Sequence, residues 1–146
     1  MILSKKAQYA IKALVTLAQN GAFPSATKSK KNLEEQMLVR DLAVQAKVPG
    51  AFLGKIISEL SSVGIIHSRK GRGGGVSLTR NPKEILLGEC IEAIDRIHGH
   101  RKCVLEERPC REVLSCPLHP VASKIRNEIL EKTTLAQVLG DGKWLA

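Results

Sequence analysis

Apolar residues recur through the first twenty positions at the steps of a helix. Ala7, Ala10, Ile11, Leu14, Leu17 and Ala18 fall three or four apart, with Lys5, Lys6, Gln8 and Lys12 between them, which predicts a helix over 5–20. Ser4, just ahead, is the expected N-cap. The period then stops. Residues 21–36, GAFPSATKSKKNLEEQ, carry Lys28, Lys30 and Lys31 without an apolar face and predict an exposed loop. Two short amphipathic runs follow. Val39, Leu42, Ala43 and Ala46 mark the first; Phe52, Leu53, Ile56, Ile57 and Leu60 mark the second, which closes at Gly64, a residue suited to a helix C′ position. Only Lys47-Val48-Pro49-Gly50 separates them, and Pro49 suits a helix start. Short helix, tight turn and second helix make a helix-turn-helix.

The period then changes to two. Residues 65–70, IIHSRK, and 76–80, VSLTR, read as strands around a glycine-rich tip, and Val76 and Leu78 alternate with Ser77 and Thr79 as in a half-exposed strand. A hairpin directly after a helix-turn-helix, tipped with Arg69, Lys70 and Arg72, is a wing. The glycines do not form a nucleotide-phosphate loop, since no helix opens after them and no Gly-Lys-Ser/Thr follows.

Asn81-Pro82 closes the hairpin, and Leu87, Cys90, Ile91, Ile94 and Ile97 restore a helical period over 87–98. Cys90 lies within that apolar face and is expected to be a packed core thiol. Pro120 opens a further helix whose stripe is only Val121, Ile125 and Ile129. Too thin to be a self-sufficient core element, that stripe is expected to pack on a second subunit. Residues 133–139 add a short terminal helix, with fraying expected from Gly140.

Composition changes the picture in two ways. The 146 residues are 43% hydrophobic but only 3% aromatic, so the core must be aliphatic. The formal charge of +9, from 23 Lys and Arg against 14 Asp and Glu, suits a polyanionic partner, nucleic acid first. The N-terminal apolar residues are interrupted by Ser4, Lys5, Lys6, Gln8 and Lys12, and no run is long enough to span a membrane. A cytoplasmic protein is expected, where stable disulfides are disfavoured.

That expectation bears on Cys103, Cys110 and Cys116, spaced C-x6-C-x5-C, with His119 three positions after the last. Structural zinc prefers close pairs such as C-x2-C, absent here. An iron–sulfur cluster takes ligands from a looser loop, and three thiolates with one nitrogen make a reasonable first shell. A reversible disulfide needs only two of the thiols, and incidental cysteines complete the alternatives. Spacing alone leaves all four open. Arg101, Lys102, Arg108 and Arg111 would stabilise thiolates in this segment.

Together these residues resemble a family of bacterial winged-helix regulators, that of the iron–sulfur cluster regulator (IscR), which includes nitric-oxide-sensing (NsrR) and cysteine-metabolism (CymR) repressors. The likeness runs through Leu3-Ser4 and Tyr9-Ala10, Leu53 to Gly64, Ser68 to Gly75, Glu89 to Ala93, the cysteine loop, and Thr134-Leu135-Ala136. It implies a mostly α fold with a small β-hairpin: a winged helix-turn-helix DNA-binding domain over 1–82, then a cysteine loop and dimerisation helices over 83–146. It further implies a homodimer on a palindrome-like operator, with the long helix near Pro120 to Lys132 as the dimer arm. Cys103, Cys110, Cys116 and His119 become cluster ligands, and [2Fe–2S] is favoured over [4Fe–4S]. The implied DNA surface comprises Ser4, Lys6, Ala51, Lys55, Arg69, Lys70, Gly71, Arg72 and Gly73. Ala51, Gly54, Lys55 and Ser58 offer few base-reading side chains, so specificity is expected to rest also on the wing and on DNA shape. A cluster-controlled repressor is the resulting expectation. The rivals are a small cluster- or metal-carrying redox protein and a cluster-free relative sensing through thiol oxidation or a protein partner. No paired carboxylates, nucleophile elbow or nucleotide loop points to an enzyme.

Overall fold

The computed structural model of the chain describes residues 3–24, 36–95 and 116–140. Its first helix, α1 (Lys5–Gln19), opens as the sequence predicts: Ser4 Oγ accepts the Ala7 N–H at 3.0 Å. Ala7, Ala10, Ala13, Leu14, Val15, Thr16, Leu17 and Ala18 are buried. The small residues let neighbouring helices approach closely, which raises dispersion contact without large side chains. Thr16, the one buried polar residue among the described residues, donates its hydroxyl to Lys12 O at 2.8 Å.

Helices α2 (Val39–Gln45) and α3 (Gly50–Ser62) form the expected pair, and both end in the same hydrogen-bonded motif. After α3, Gly64 sits at φ +76°, with its N–H on Ser61 O at 3.1 Å and the Ile65 N–H on Leu60 O at 3.0 Å. After α2, Lys47 occupies the equivalent position at φ +53°, with bonds from Lys47 N–H to Val44 O and Val48 N–H to Ala43 O. A non-glycine residue there carries a steric cost.

Strands β1 (Ile66–Arg69) and β2 (Gly75–Leu78) pair antiparallel, Ile66 opposite Leu78 and Arg69 opposite Gly75. At the tip, a Cβ on Gly74 would stand 2.3 Å from Arg69 O, so the turn closes only with glycine there. The outer edge of β2 is also paired. Met37 exchanges both backbone bonds with Val76, and the Leu78 N–H reaches Ala22 O at 2.7 Å. The expected open loop 21–36 is therefore pinned to the wing at both ends, with Ala22 and Met37 buried. Lys28, Lys30 and Lys31 lie outside the described residues.

A 3₁₀ turn (Pro82–Glu84) leads to α4 (Leu87–Asp95), and Ile97 falls outside the described residues. Helix α5 (Leu118–Glu131) starts two positions before the expected Pro120. Proline is tolerated there because first-turn N–H groups have no intrahelical partner. Helix α6 (Leu135–Leu139) carries a capping box between Thr134 and Gln137. The connection into it clips onto the segment ahead of α4: Leu87 N–H binds Thr133 O and Leu135 N–H binds Ile85 O, each at 2.8 Å. Ile85, Cys90, Ile94 and Leu135 thereby join one core with α1 and α3.

The mostly helical expectation with a two-stranded hairpin holds. Of the expected α5 stripe, Val121 and Ile125 stand out of that core, 56% and 42% exposed, with Leu118 at 42% beside them; the Ile129 side chain lies outside the described residues.

Cys90 is packed as expected, 1% exposed, with its thiol donating to Leu86 O at 3.5 Å. Burial pushes that thiol up from an ordinary 9.0 to about 12, with Glu89 adding to the shift. A proton held in the folded state contributes its full stability below the ordinary value and loses it as pH rises towards the folded one. Chemical denaturation across pH 9.0 to about 12 should show falling stability in the wild type. The fall should be shallower in Cys90→Ala, once that variant's own packing loss is subtracted.

At Gly88 a Cβ would lie 2.4 Å from Leu130 O, a backbone atom of α5 that cannot swing aside. Gly88→Ala must move α5 off α4 and should cost about 1–3 kcal/mol, measured by urea titration.

Candidate nucleic-acid interface and cysteine segment

The α3 surface left after packing is sparse. Leu53, Ile56, Ile57 and Leu60 are buried, which leaves Ala51, Gly54, Lys55 and Ser58 exposed. The largest exposed group is Phe52, half-exposed and tilted against Tyr9 of α1 with ring centroids 5.6 Å apart. Lys5 Nζ lies 5.4 Å from the Tyr9 centroid, within cation–π range.

The wing places its cations as the sequence suggests. His67, Ser68, Arg69, Lys70, Gly71, Arg72 and Gly73 are all exposed. Gly71 and Gly73 have φ of +91° and +69°, so the tip turns back within a few residues around the exposed Arg72. At the wing's base, Arg80 Nη2 meets Glu89 Oε2 at 2.5 Å and Nη1 donates to Glu84 O at 3.1 Å. Glu89 Oε1 also accepts the Leu86 N–H at 3.4 Å. The hydrogen bond to Glu89 pushes the Arg80 pKa further up, against the opposing effect of burial. The hairpin is thus tied to the first turn of α4.

Two expected DNA contacts on α1 are engaged within the protein. Ser4 caps α1, donates its hydroxyl to Asp95 Oδ1, and sets its N–H 3.5 Å from Asp95 Oδ2. Lys6 is held by Glu59 of α3, with Nζ 2.6 Å from Oε1. Partners 91 and 53 positions away carry no periodic or motif signal, so sequence reasoning had no means to find them.

Of the four expected ligands, Cys116 and His119 are described; Cys103 and Cys110, with Arg101, Lys102, Arg108 and Arg111, lie outside the described residues. Cys116 is a free, half-buried thiol just before the Pro117 N-cap of α5. The His119 N–H reaches Cys116 O at 3.2 Å, which sets thiol and imidazole residues one turn apart. On the next turn, Ser123 Oγ lies 3.4 Å from His119 Nε2. Thiol and imidazole are both ligand types that an iron–sulfur cluster accepts. Among the described residues no helix is long and apolar enough to cross a membrane.

Comparison with known proteins places this arrangement. The family model Rrf2, described as "Iron-dependent Transcriptional regulator", matches residues 3–141. A protein of Aquifex aeolicus bearing an HTH-type transcriptional-regulator description is 30% identical over 131 residues, 88% of this chain and 83% of its own length. The HTH-type transcriptional regulator NsrR of Geobacillus kaustophilus is 29% identical, over 97% of this chain and 91% of that protein. Two solved structures share the fold. T. potens IscR has TM-score 0.68 at 22% identity, covering 97% of this chain and 88% of that one. CymR, the global cysteine regulator of B. subtilis, has TM-score 0.67 at 21% identity, covering 95% and 96%. Its proteins are transcription regulators rather than enzymes, and such a regulator acts on a DNA operator. With the family model spanning nearly the whole chain and the helix-turn-helix pair and hairpin in place, this protein belongs to the Rrf2 family of helix-turn-helix transcriptional regulators.

Proposed function

We propose that the protein is a cytoplasmic, homodimeric repressor whose operator affinity is set by an iron–sulfur cluster, [2Fe–2S], held by Cys103, Cys110, Cys116 and His119. Supporting this most directly is the placing of Cys116 and His119 one turn apart at the head of a fourteen-residue helix, both half-buried. A cluster bound there would supply a charge and a ligand set that change with redox state or loss of iron. Fixed by the first-turn backbone, Cys116 and His119 would move with α5 as a unit. The half-exposed Leu118, Val121 and Ile125 suit burial against the same helix of a second copy, so a change at the loop would bear on dimer geometry. Cys90, buried with its thiol kept protonated, takes no part.

On the DNA, α3 would lie in the major groove, offering Ala51 and Lys55, while Arg69, Lys70, Gly71, Arg72 and Gly73 of the wing hold phosphates. So bare an α3 face suits a reader that draws part of its specificity from DNA shape.

A cluster-free thiol sensor is the second reading, favoured by the free, partly exposed Cys116 thiol. Anaerobic purification followed by absorption spectroscopy and iron and sulfide analysis separates the two. Stoichiometric sulfide, lost in Cys103→Ser, Cys110→Ser or Cys116→Ser but kept in Cys90→Ala, is the expected result. Protein with neither iron nor sulfide, or with zinc alone, would overturn it.

For the wing, Arg72→Gln should weaken binding to every duplex and reduce the slope of log K against log salt by about 0.9, one phosphate contact. An unchanged slope in a salt-titrated gel shift would remove Arg72 from the interface.

A further inference from the structure

The apolar seam between α1 and α3 carries one ionic contact. Lys6 Nζ donates to Glu59 Oε1 at 2.6 Å and lies 2.5 Å from Oε2, a buried oxygen that takes no hydrogen bond of its own, so one hydrogen bond and the charge attraction join the two helices. The pair is shielded, the Lys6 side chain being 26% exposed and that of Glu59 16%. Shielded charges are less screened by salt than surface ones, and removing one partner leaves the other poorly solvated. For Lys6 to reach a phosphate it would have to abandon Glu59. That would leave a largely buried carboxylate uncompensated and bring an anion near it, which makes Lys6 a poor phosphate contact.

What the pair does mechanically follows from its position. On α1, Tyr9 lies one turn beyond Lys6; on α3, Phe52 lies two turns before Glu59. Tyr9 meets Phe52 at 5.6 Å, so α3 is held at two points along one side. Between those points Leu53 and Ile56 are fully buried. Aliphatic packing is non-directional and permits small rolls of a helix about its axis, whereas a charge-assisted hydrogen bond between partly buried groups opposes them. Ala51, Lys55 and Ser58 ride on the same rigid cylinder, and any roll re-aims all three.

We infer that Lys6 is a positioning residue rather than a DNA contact: paired with Glu59, it sets the roll of α3 and so the aim of that helix at the operator. This rests on α3 being the element laid on DNA. The test uses the full-length protein, a duplex carrying the sequence that the wild type selects from a random pool, and a duplex of random sequence. Lys6→Met and Glu59→Gln should each weaken binding to the selected duplex by about tenfold, a loss on the scale of paired residues. Binding to random DNA and the salt slope should barely move. The reversed pair, Lys6→Glu with Glu59→Lys, should recover most of the discrimination. Equal losses on both duplexes, with the slope lowered by about 0.9 in Lys6→Met, would make Lys6 a phosphate contact and overturn the inference. So would a lower melting temperature with discrimination intact, the mark of a merely structural pair. Lys55→Ala, run alongside, tests the premise separately. Weaker binding keeps α3 on the DNA, and unchanged binding removes both the premise and the inference built on it.

Discussion

Close packing against the small-residue face of α1 is the constraint on which the other elements depend. Ala7, Ala10 and Ala13 are buried on α1 together with Leu14 and Leu17, and α3 and α4 both pack on that helix. With few aromatic residues to fill gaps, this core relies on many short contacts between aliphatic groups, each weak and collectively large. A larger side chain at any of those alanines would push apart the helices that bracket it. The first helix therefore acts as the ruler of the molecule.

Polar contacts then tie the elements around that ruler. Ser4 is held by Asp95 at the end of α4, Lys6 by Glu59 on α3, and Arg80 at the wing's base by Glu89 in the first turn of α4. Each joins two elements already brought together by apolar burial, so each adds direction to a contact that otherwise has none. The wing gains a further constraint through Met37 and Ala22, whose backbone groups occupy the outer edge of β2. An edge paired in this way is not open to association with another strand.

The fold does not by itself decide how the regulator senses. IscR and CymR structures resemble this chain about equally, with TM-scores of 0.68 and 0.67. Discrimination has to come from donor chemistry in the cysteine segment, where a thiol and an imidazole stand one turn apart. That placement owes much to Pro117 and Pro120, which fit the head of a helix and nowhere else in it.

Local signals determined the elements and much of the candidate surface. Periodicity placed α1, α2, α3 and α4 to within a few residues, because apolar spacing reports directly which side of a helix is buried. Ser4 as a cap, Gly64 as a stop, Cys90 as a core thiol and the exposed cations of the wing were equally legible, since each follows from chemistry within a few residues. The start of α5 was not, because a proline fits any position of a first turn. Nor could sequence separate an open loop from one whose ends, at Ala22 and Met37, pair with a distant strand. Only the tertiary structure decided which distant groups Ser4 and Lys6 meet, Asp95 and Glu59. Those partners are fixed by the crossing of helices, and a crossing depends on the whole core rather than on any local pattern of residues.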